Sequence, residues 1–213
     1  MVWFVVCLFA ARMIYIVSMR VLKKAPEIIR FLAVCLLTYT GYYIGTNISF
    51  LPWSLDIALF AQIFMWFGDF IHRKRFFLPY KRYIACVGMV VWILLTLNGY
   101  WLELAIRRYP GGIICIVTAL AGSIVVIFIS ECIEKIPVIS RFFAWCGKNS
   151  MVILAFHCYD LRFLDWNKVY AAIPLGWGWE SMAAAKVILV LLWSFAFVKV
   201  KAYVRELNTD NSE

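Results

Sequence analysis

Charge is what this chain has least of. Charged residues make up 15% of its 213 residues and hydrophobic ones 65%, with a mean hydropathy of +0.85. Water-soluble domains run nearer a quarter charged and half apolar, so a soluble globule is excluded. Cysteine pairing signals are also missing. Cys7, Cys35, Cys86, Cys115, Cys132, Cys146 and Cys158 form no CxxC and no Cys/His metal spacing. Most lie in apolar runs, where cysteine acts as a small hydrophobe, so neither a disulfide framework nor a metal site is expected. The first apolar run has no basic segment before it and no small-residue cleavage site after it, so it is expected to stay as a span, not leave as a signal peptide. There is no internal or inverted repeat, which removes one signature of secondary transporters.

What is present is a series of apolar runs. The expected fold is all-α, a polytopic transmembrane helix bundle of about seven spans at about 20 residues each, occupying residues 1–205 before a polar, disordered cytoplasmic tail at 206–213. No room remains for a soluble catalytic domain. The spans run from about Val2 to Ser18, Ile28 to Gly45, Pro52 to Ile71, Tyr83 to Asn98, Ile113 to Ile133, Ser150 to Leu164 and Lys186 to Val204. The sixth is short, and a re-entrant path is its alternative. Between the fourth and fifth, Tyr100 to Arg108 reads as an amphipathic stretch before the turn Tyr109-Pro110-Gly111-Gly112. Between the fifth and sixth, Glu131 to Ser150 reads as an interfacial helix interrupted by Pro137. Trp166, Trp177 and Trp179 suit a membrane–water interface. Ala119, Ala121, Gly122 and Ser123 would let a neighbouring helix come close.

The net charge of +9 is not a nucleic-acid signal, because the cations sit between the apolar runs. One side of the predicted layout holds Arg20, Lys23, Lys24 and Arg30; Arg73, Lys74, Arg75, Lys81 and Arg82; Lys135, Arg141 and Lys148; and Lys199, Lys201 and Arg205. The other holds Arg107, Arg108, Arg162, Lys168 and Lys186. Cations gather on the cytoplasmic side of membranes. The chain is therefore expected in the plasma membrane with its N-terminus outside and its C-terminus in the cytoplasm.

Few residues could carry chemistry. Arg12, inside the first span, costs about 2.5–3.5 kcal/mol at mid-membrane. It either snorkels to the surface or faces a cavity and holds an anionic group. Asp56, in Leu51-Pro52-Trp53-Ser54-Leu55-Asp56, suits the helix dipole of a first turn or binds an acceptor at the outer mouth. Glu103 and Arg107, four apart, form a local helical ion pair or recognise a polar acceptor. His157 either satisfies a buried hydrogen bond or acts as a base oriented by Asp160. Neither a nucleophile elbow nor a metal-ligand spacing accompanies it. Asp69 reads as a surface partner of Arg73. The basic loop Arg73, Lys74, Arg75, Lys81 and Arg82 meets anionic lipid or a polyanionic cosubstrate such as coenzyme A.

Several segments in order resemble the membrane acyltransferase 3 family, which O-acetylates sugars and other hydroxyl-bearing acceptors. Val2 to Phe9 looks like its "WFL…L" helix. Leu51-Pro52-Trp53-Ser54-Leu55-Asp56-Ile57-Ala58-Leu59, with Phe64 to Gly68, resembles its "LPWS-D-A…F…G" helix. Glu103 to Gly112 takes the place of an acidic-basic-Tyr stretch, and Cys146 to Leu154 with His157 is similar to a "GK-S-IL…H" element. The resemblance covers the later part of that family. It implies acyl transfer, acetyl in particular, from cytoplasmic acetyl-CoA to a hydroxyl of a cell-envelope carbohydrate. It also implies a missing N-terminal segment with the family's catalytic His, a role that does not pass to His157. No bound cofactor is expected; acetyl-CoA would be a cosubstrate. The alternative is a transport or scaffold protein without chemistry.

Overall fold

A computed structural model describes residues 3–48, 51–74, 80–166, 168 and 179–210, with backbone alone at Lys74, Trp179 and 205–210. All regular structure among them is helical. The helices are α1 (Trp3–Val21), α2 (Glu27–Asn47), a 3₁₀ turn (Pro52–Ser54), α3 (Leu55–Phe60), α4 (Gln62–Lys74), α5 (Lys81–Leu97), α6 (Ile113–Glu134), α7 (Pro137–Lys148), α8 (Ser150–Phe163) and α9 (Trp179–Asp210). Four elements are long and apolar enough to cross a membrane: α1, α2, α6 and Glu180–Val204 of α9. A fifth is the bent pair Pro52–Phe60 and Gln62–Arg73, if it is one span. Their outward surfaces are apolar, Phe9, Leu36, Ile113, Val126 and Leu192 all being exposed, which water would penalise and lipid does not. The structure thus has the makings of a multi-pass membrane protein. The fourth and sixth predicted spans are shorter, α5 having 17 residues and α8 having 14.

The chain divides into two units, Met1–Cys132 and Ile133–Glu213. In the first, the span elements alternate in direction. Tyr15 of α1 donates to Asp69 of α4 (2.8 Å). Arg73 pairs with Asp69 (3.1 Å) and Glu27 (3.6 Å), and Lys81 with Glu131 (2.6 Å). The first three contacts bring the α1–α2 connection to the end of α4, and the last brings the start of α5 to the end of α6, both at one end of the unit. The start of α1, the end of α2, Pro52–Ser54 and the segment 98–112 meet at the other end. Arg20, Lys23, Lys24, Arg30, Arg73, Lys81 and Arg82 lie at the first end, Arg107 and Arg108 at the second. The expected partnership of Asp69 with Arg73 is present.

Small residues set the packing. Cys7 and Ala11 of α1 bury against Ile57 and Ala58 of α3. Gly41 of α2 lies on the α3 backbone itself, where an added Cβ would strike Asp56, Leu59 and Phe60. On α6, Ala121 faces Gly88 of α5, and the Trp92 indole covers Gly122. This fulfils the expectation of close approach there.

The third predicted span departs from expectation: it is not one helix but bends by 47° at Ala61. The Gln62 side-chain amide, fully buried, donates to the Ala58 carbonyl at the break (2.8 Å) and to Ala11 of α1 (3.0 Å). A polar side chain inserted at a helical turn is a recognised cause of bending. Pro52 does occupy the first helical position of its short turn.

In the second unit, α8 and α9 run antiparallel, with Phe156 and Tyr159 against Trp193, Phe156 against Phe197, and the Lys186 ammonium over Trp166. Pro137 does mark a break in the helical path, α6 ending at Glu134 and Ile136 being extended. It begins α7, since its missing N–H costs nothing at a helix start. The tail is corrected: the α9 backbone continues to Asp210, past the predicted end at 205. Neither Gly nor Pro lies in 180–210 to stop it. Residues 211–213 lie outside the described residues, as do Arg75 of the basic loop and Trp177.

Candidate functional site

The segment between α5 and α6 is not the helix its spacing predicts. It is a tight hairpin. Glu103 N–H donates to the Arg108 carbonyl (3.1 Å) and Arg108 N–H to that of Glu103 (2.9 Å), closing a four-residue loop. The last loop residue, Arg107, has φ +57°. The predicted Glu103–Arg107 helical pair is therefore absent. Four-residue separation brings side chains together only on a helix, and the hairpin turns Arg107 elsewhere.

It turns to Asp56. Arg107 Nε donates to Asp56 Oδ2 at 2.6 Å and Nη2 to Oδ1 at 3.1 Å, with Ser54 Oγ 3.4 Å from Nη2. The Asp56 side chain is fully buried and that of Arg107 is 11% exposed. Two parallel bonds are the strongest form of such a pair. Desolvating both ions is costly and needs good geometry to offset it. Asp56 also stands in the first turn of α3, so the dipole explanation holds as well, as a smaller contribution.

The surrounding backbone is strained. Trp53 and Ser54, like Arg107, have φ of +57°, a region that costs non-glycine residues energy and that clusters at functional sites. Cys7 of α1 donates its thiol hydrogen to the Ser54 carbonyl (3.5 Å), tying the strained turn to α1.

Tyr109 completes the cluster. Its ring lies between Phe60 (4.7 Å) and Tyr42 (5.5 Å). Its hydroxyl is buried without a hydrogen-bond partner among the described residues. Gly45 of α2 leaves the room: a Cβ there would sit 3.3 Å from Asp56 Oδ2 and 3.5 Å from the Tyr109 hydroxyl. Burial first, then the charge of Asp56, pushes that hydroxyl up to about 12. Folding thus holds this proton more tightly than the unfolded chain does. The associated stability is complete below pH about 10, the ordinary tyrosine value, and is lost as pH rises through about 12. Tyr109→Phe should remove that alkaline loss. At neutral pH it should leave the melting temperature unchanged or higher, since an unpaired buried hydroxyl is itself a penalty. Thermal melts in detergent at pH 7 and above pH 10 check both.

Asp56, Arg107, Ser54, Tyr109 and the hairpin that carries Glu103 are thus brought together. Arg12 is not. It is exposed, and its neighbour Ala11 makes the inward contact. His157, in the second unit, is exposed and not bonded to Asp160. Asp160 is fully buried and accepts instead from the Trp166 indole (2.8 Å), which corrects the predicted His–Asp pairing. Position 157 is on the outward face of α8 and 160 on its packed face. In the basic loop, Arg73 and Lys81 have carboxylate partners within the unit, and Arg82 is exposed. Sequence reasoning missed Tyr109 and Gly45. Tyr109 read as part of a turn, and nothing local marks it as buried.

Chemically the cluster offers a fixed cation, a carboxylate and a hydroxyl that both donates and accepts. Such a set holds polar, hydroxyl-bearing molecules by hydrogen bonds. No known protein family matches the chain, and no curated protein or solved structure matches it.

Proposed function

We propose that the chain is, or is part of, a membrane-embedded O-acyltransferase that moves an acyl group, acetyl foremost, from acyl-CoA to a hydroxyl of a cell-envelope carbohydrate. The acceptor oxygen attacks the thioester carbonyl carbon, the C–O ester bond forms and the C–S bond breaks. The hydroxyl proton leaves to a base not assigned among these residues and ends on the CoA thiol. The observation that carries the reading is the buried Arg107–Asp56 fork on strained backbone, beside the unpartnered Tyr109 hydroxyl. Asp56 lies in the segment that resembles the family's "LPWS-D-A…F…G" helix, and Arg107 and Tyr109 lie in the one that takes the place of its acidic-basic-Tyr stretch. The exposed cations of the opposite end suit the CoA phosphates.

In this reading the chain crosses the plasma membrane seven times, N-terminus outside and C-terminus cytoplasmic, with its cations inside. The 17-residue α5 rises about 25 Å and the 14-residue α8 about 21 Å. Both are shorter than the roughly 30 Å hydrocarbon core, a mismatch that local thinning absorbs.

Membranes containing the chain should transfer label from acetyl-CoA to carbohydrate, either on its own or once any segment encoded ahead of Met1 is supplied. Arg107→Ala should abolish the transfer. Absence of transfer in both preparations contradicts the proposal. A second reading, transport without chemistry, is favoured by the bend at Ala61 and its buried Gln62, since broken helices line transporter sites. Solute uptake by sealed vesicles without acyl transfer would establish that reading instead.

A further inference from the structure

Beside the polar cluster lies an open groove of about 670 Å³ within the first unit, between α1, the α3–α4 bend and the hairpin. Its walls are Leu8 and Ala11 on α1, Ala61 and Met65 on the bent pair, and Leu104 and Ala105 on the hairpin. Glu103 is its one ionisable carboxylate. The volume is that of a small-molecule site, yet the walls offer a sugar almost nothing to bond to. Trp3 to Ala11 of α1, which flanks it, rises about 12 Å, so the groove follows the direction of that span. Its flanks belong to elements apolar enough for lipid, where the surrounding medium is hydrocarbon.

The groove also joins the polar cluster directly. Cys7, on its wall, donates to the carbonyl of Ser54, whose hydroxyl is 3.4 Å from Arg107. Ile57, on the wall, follows Asp56 in sequence. Leu104 packs against both the α1–α3 core and the Phe60–Tyr109 core. One molecule with an apolar chain and a polar head fits this continuity: chain along α1, head at Arg107 and Tyr109.

We infer that the groove holds the hydrocarbon chain of an amphipathic lipid, and that the acyl acceptor is lipid-linked, not a free sugar. The second clause rests on the function proposed above; the first does not.

The probe is a phospholipid with a photoactivatable group midway along its acyl chain, in vesicles containing the whole protein. Crosslinks should concentrate on residues 3–11 and 61–65, above equally apolar outward faces such as 187–192. Leu8→Trp with Ala105→Trp should reduce them severalfold by filling the groove. Both positions are exposed, so the fold should persist, as an unchanged melting temperature would show. Val87→Trp, an exposed apolar site outside the groove, should change nothing. Labelling spread evenly over apolar faces, or indifferent to the filled groove, overturns the inference.

A parallel assay compares acetyl transfer to a lipid-linked and to a free oligosaccharide. Preference for the lipid-linked acceptor, lost on filling the groove, supports the full inference. Equal transfer to both, unaffected by filling, leaves the acyltransferase standing and overturns the acceptor class. Groove labelling with no transfer to either supports the lipid site and removes the acyltransferase.

Discussion

Arg107→Ala should lower the stability of the detergent-solubilised protein by about 3–5 kcal/mol, the usual result of breaking a buried ion pair from one side. The reason is what stays behind. Asp56 is fully buried and would keep its carboxylate without the cation that forks onto both of its oxygens. Asp56→Asn should cost less, because the amide oxygen can still accept from Arg107, and the charge left without its counter-ion is on the side chain that keeps some exposure (11%), not on the fully buried one. The informative variant replaces both residues, Asp56→Leu with Arg107→Met. Apolar replacement of a whole buried pair is often neutral or stabilising, so the double variant should recover most of the melting temperature. It should recover none of the proposed acyl transfer. Stability without activity would mark the pair as kept for binding. A double variant as unstable as Arg107→Ala alone would make the pair structural. A small effect of Arg107→Ala would contradict its burial.

Gly41→Ala should be comparably damaging, although it adds one methyl group to a helix interior where alanine is normally preferred. The added carbon meets the backbone of Asp56, Leu59 and Phe60, and backbone has no alternative rotamer. The α2–α3 pair must separate, with a cost of about 3 kcal/mol or more, at or above the usual range for overpacking. Because Asp56 is part of the struck segment, the fork onto Arg107 should loosen too. Gly68→Ala on α4 is the control. Nothing lies within 4 Å of its added Cβ, so it should be neutral or stabilise by about 0.5–1 kcal/mol. Folded yield and thermal melts of the two variants decide. Equal tolerance at both positions would contradict the close contact of α2 with α3.

The helices were legible because lipid demands apolar length, and residues 3–21, 27–47 and 113–134 supply it without ambiguity. The break at Ala61 was not, since no Gly or Pro marks it and the cause is Gln62 reaching another helix. The partner of Arg107 was hidden for a related reason. Glu103 is four residues away and Asp56 is 51 away. Only the hairpin, whose pairing of Glu103 with Arg108 has no clear local signature, decides between them. Asp56 and Arg107 could each be singled out as chemically interesting, but their meeting is a tertiary fact. Gly41 looked like any glycine in a long apolar run. The partner of Asp160 needed the chain to turn back at Trp166, six residues on.

Labelling from outside intact cells tests the account most directly. It rests on the hairpin end of the first unit facing outward and the α1–α2 connection facing the cytoplasm. Ile106, at the hairpin tip, and Lys24, between α1 and α2, are both exposed. A membrane-impermeant maleimide, read against the background of the unsubstituted chain, should modify Ile106→Cys in intact cells and Lys24→Cys only after lysis. Modification of Lys24→Cys in intact cells, with Ile106→Cys protected until lysis, would contradict the account.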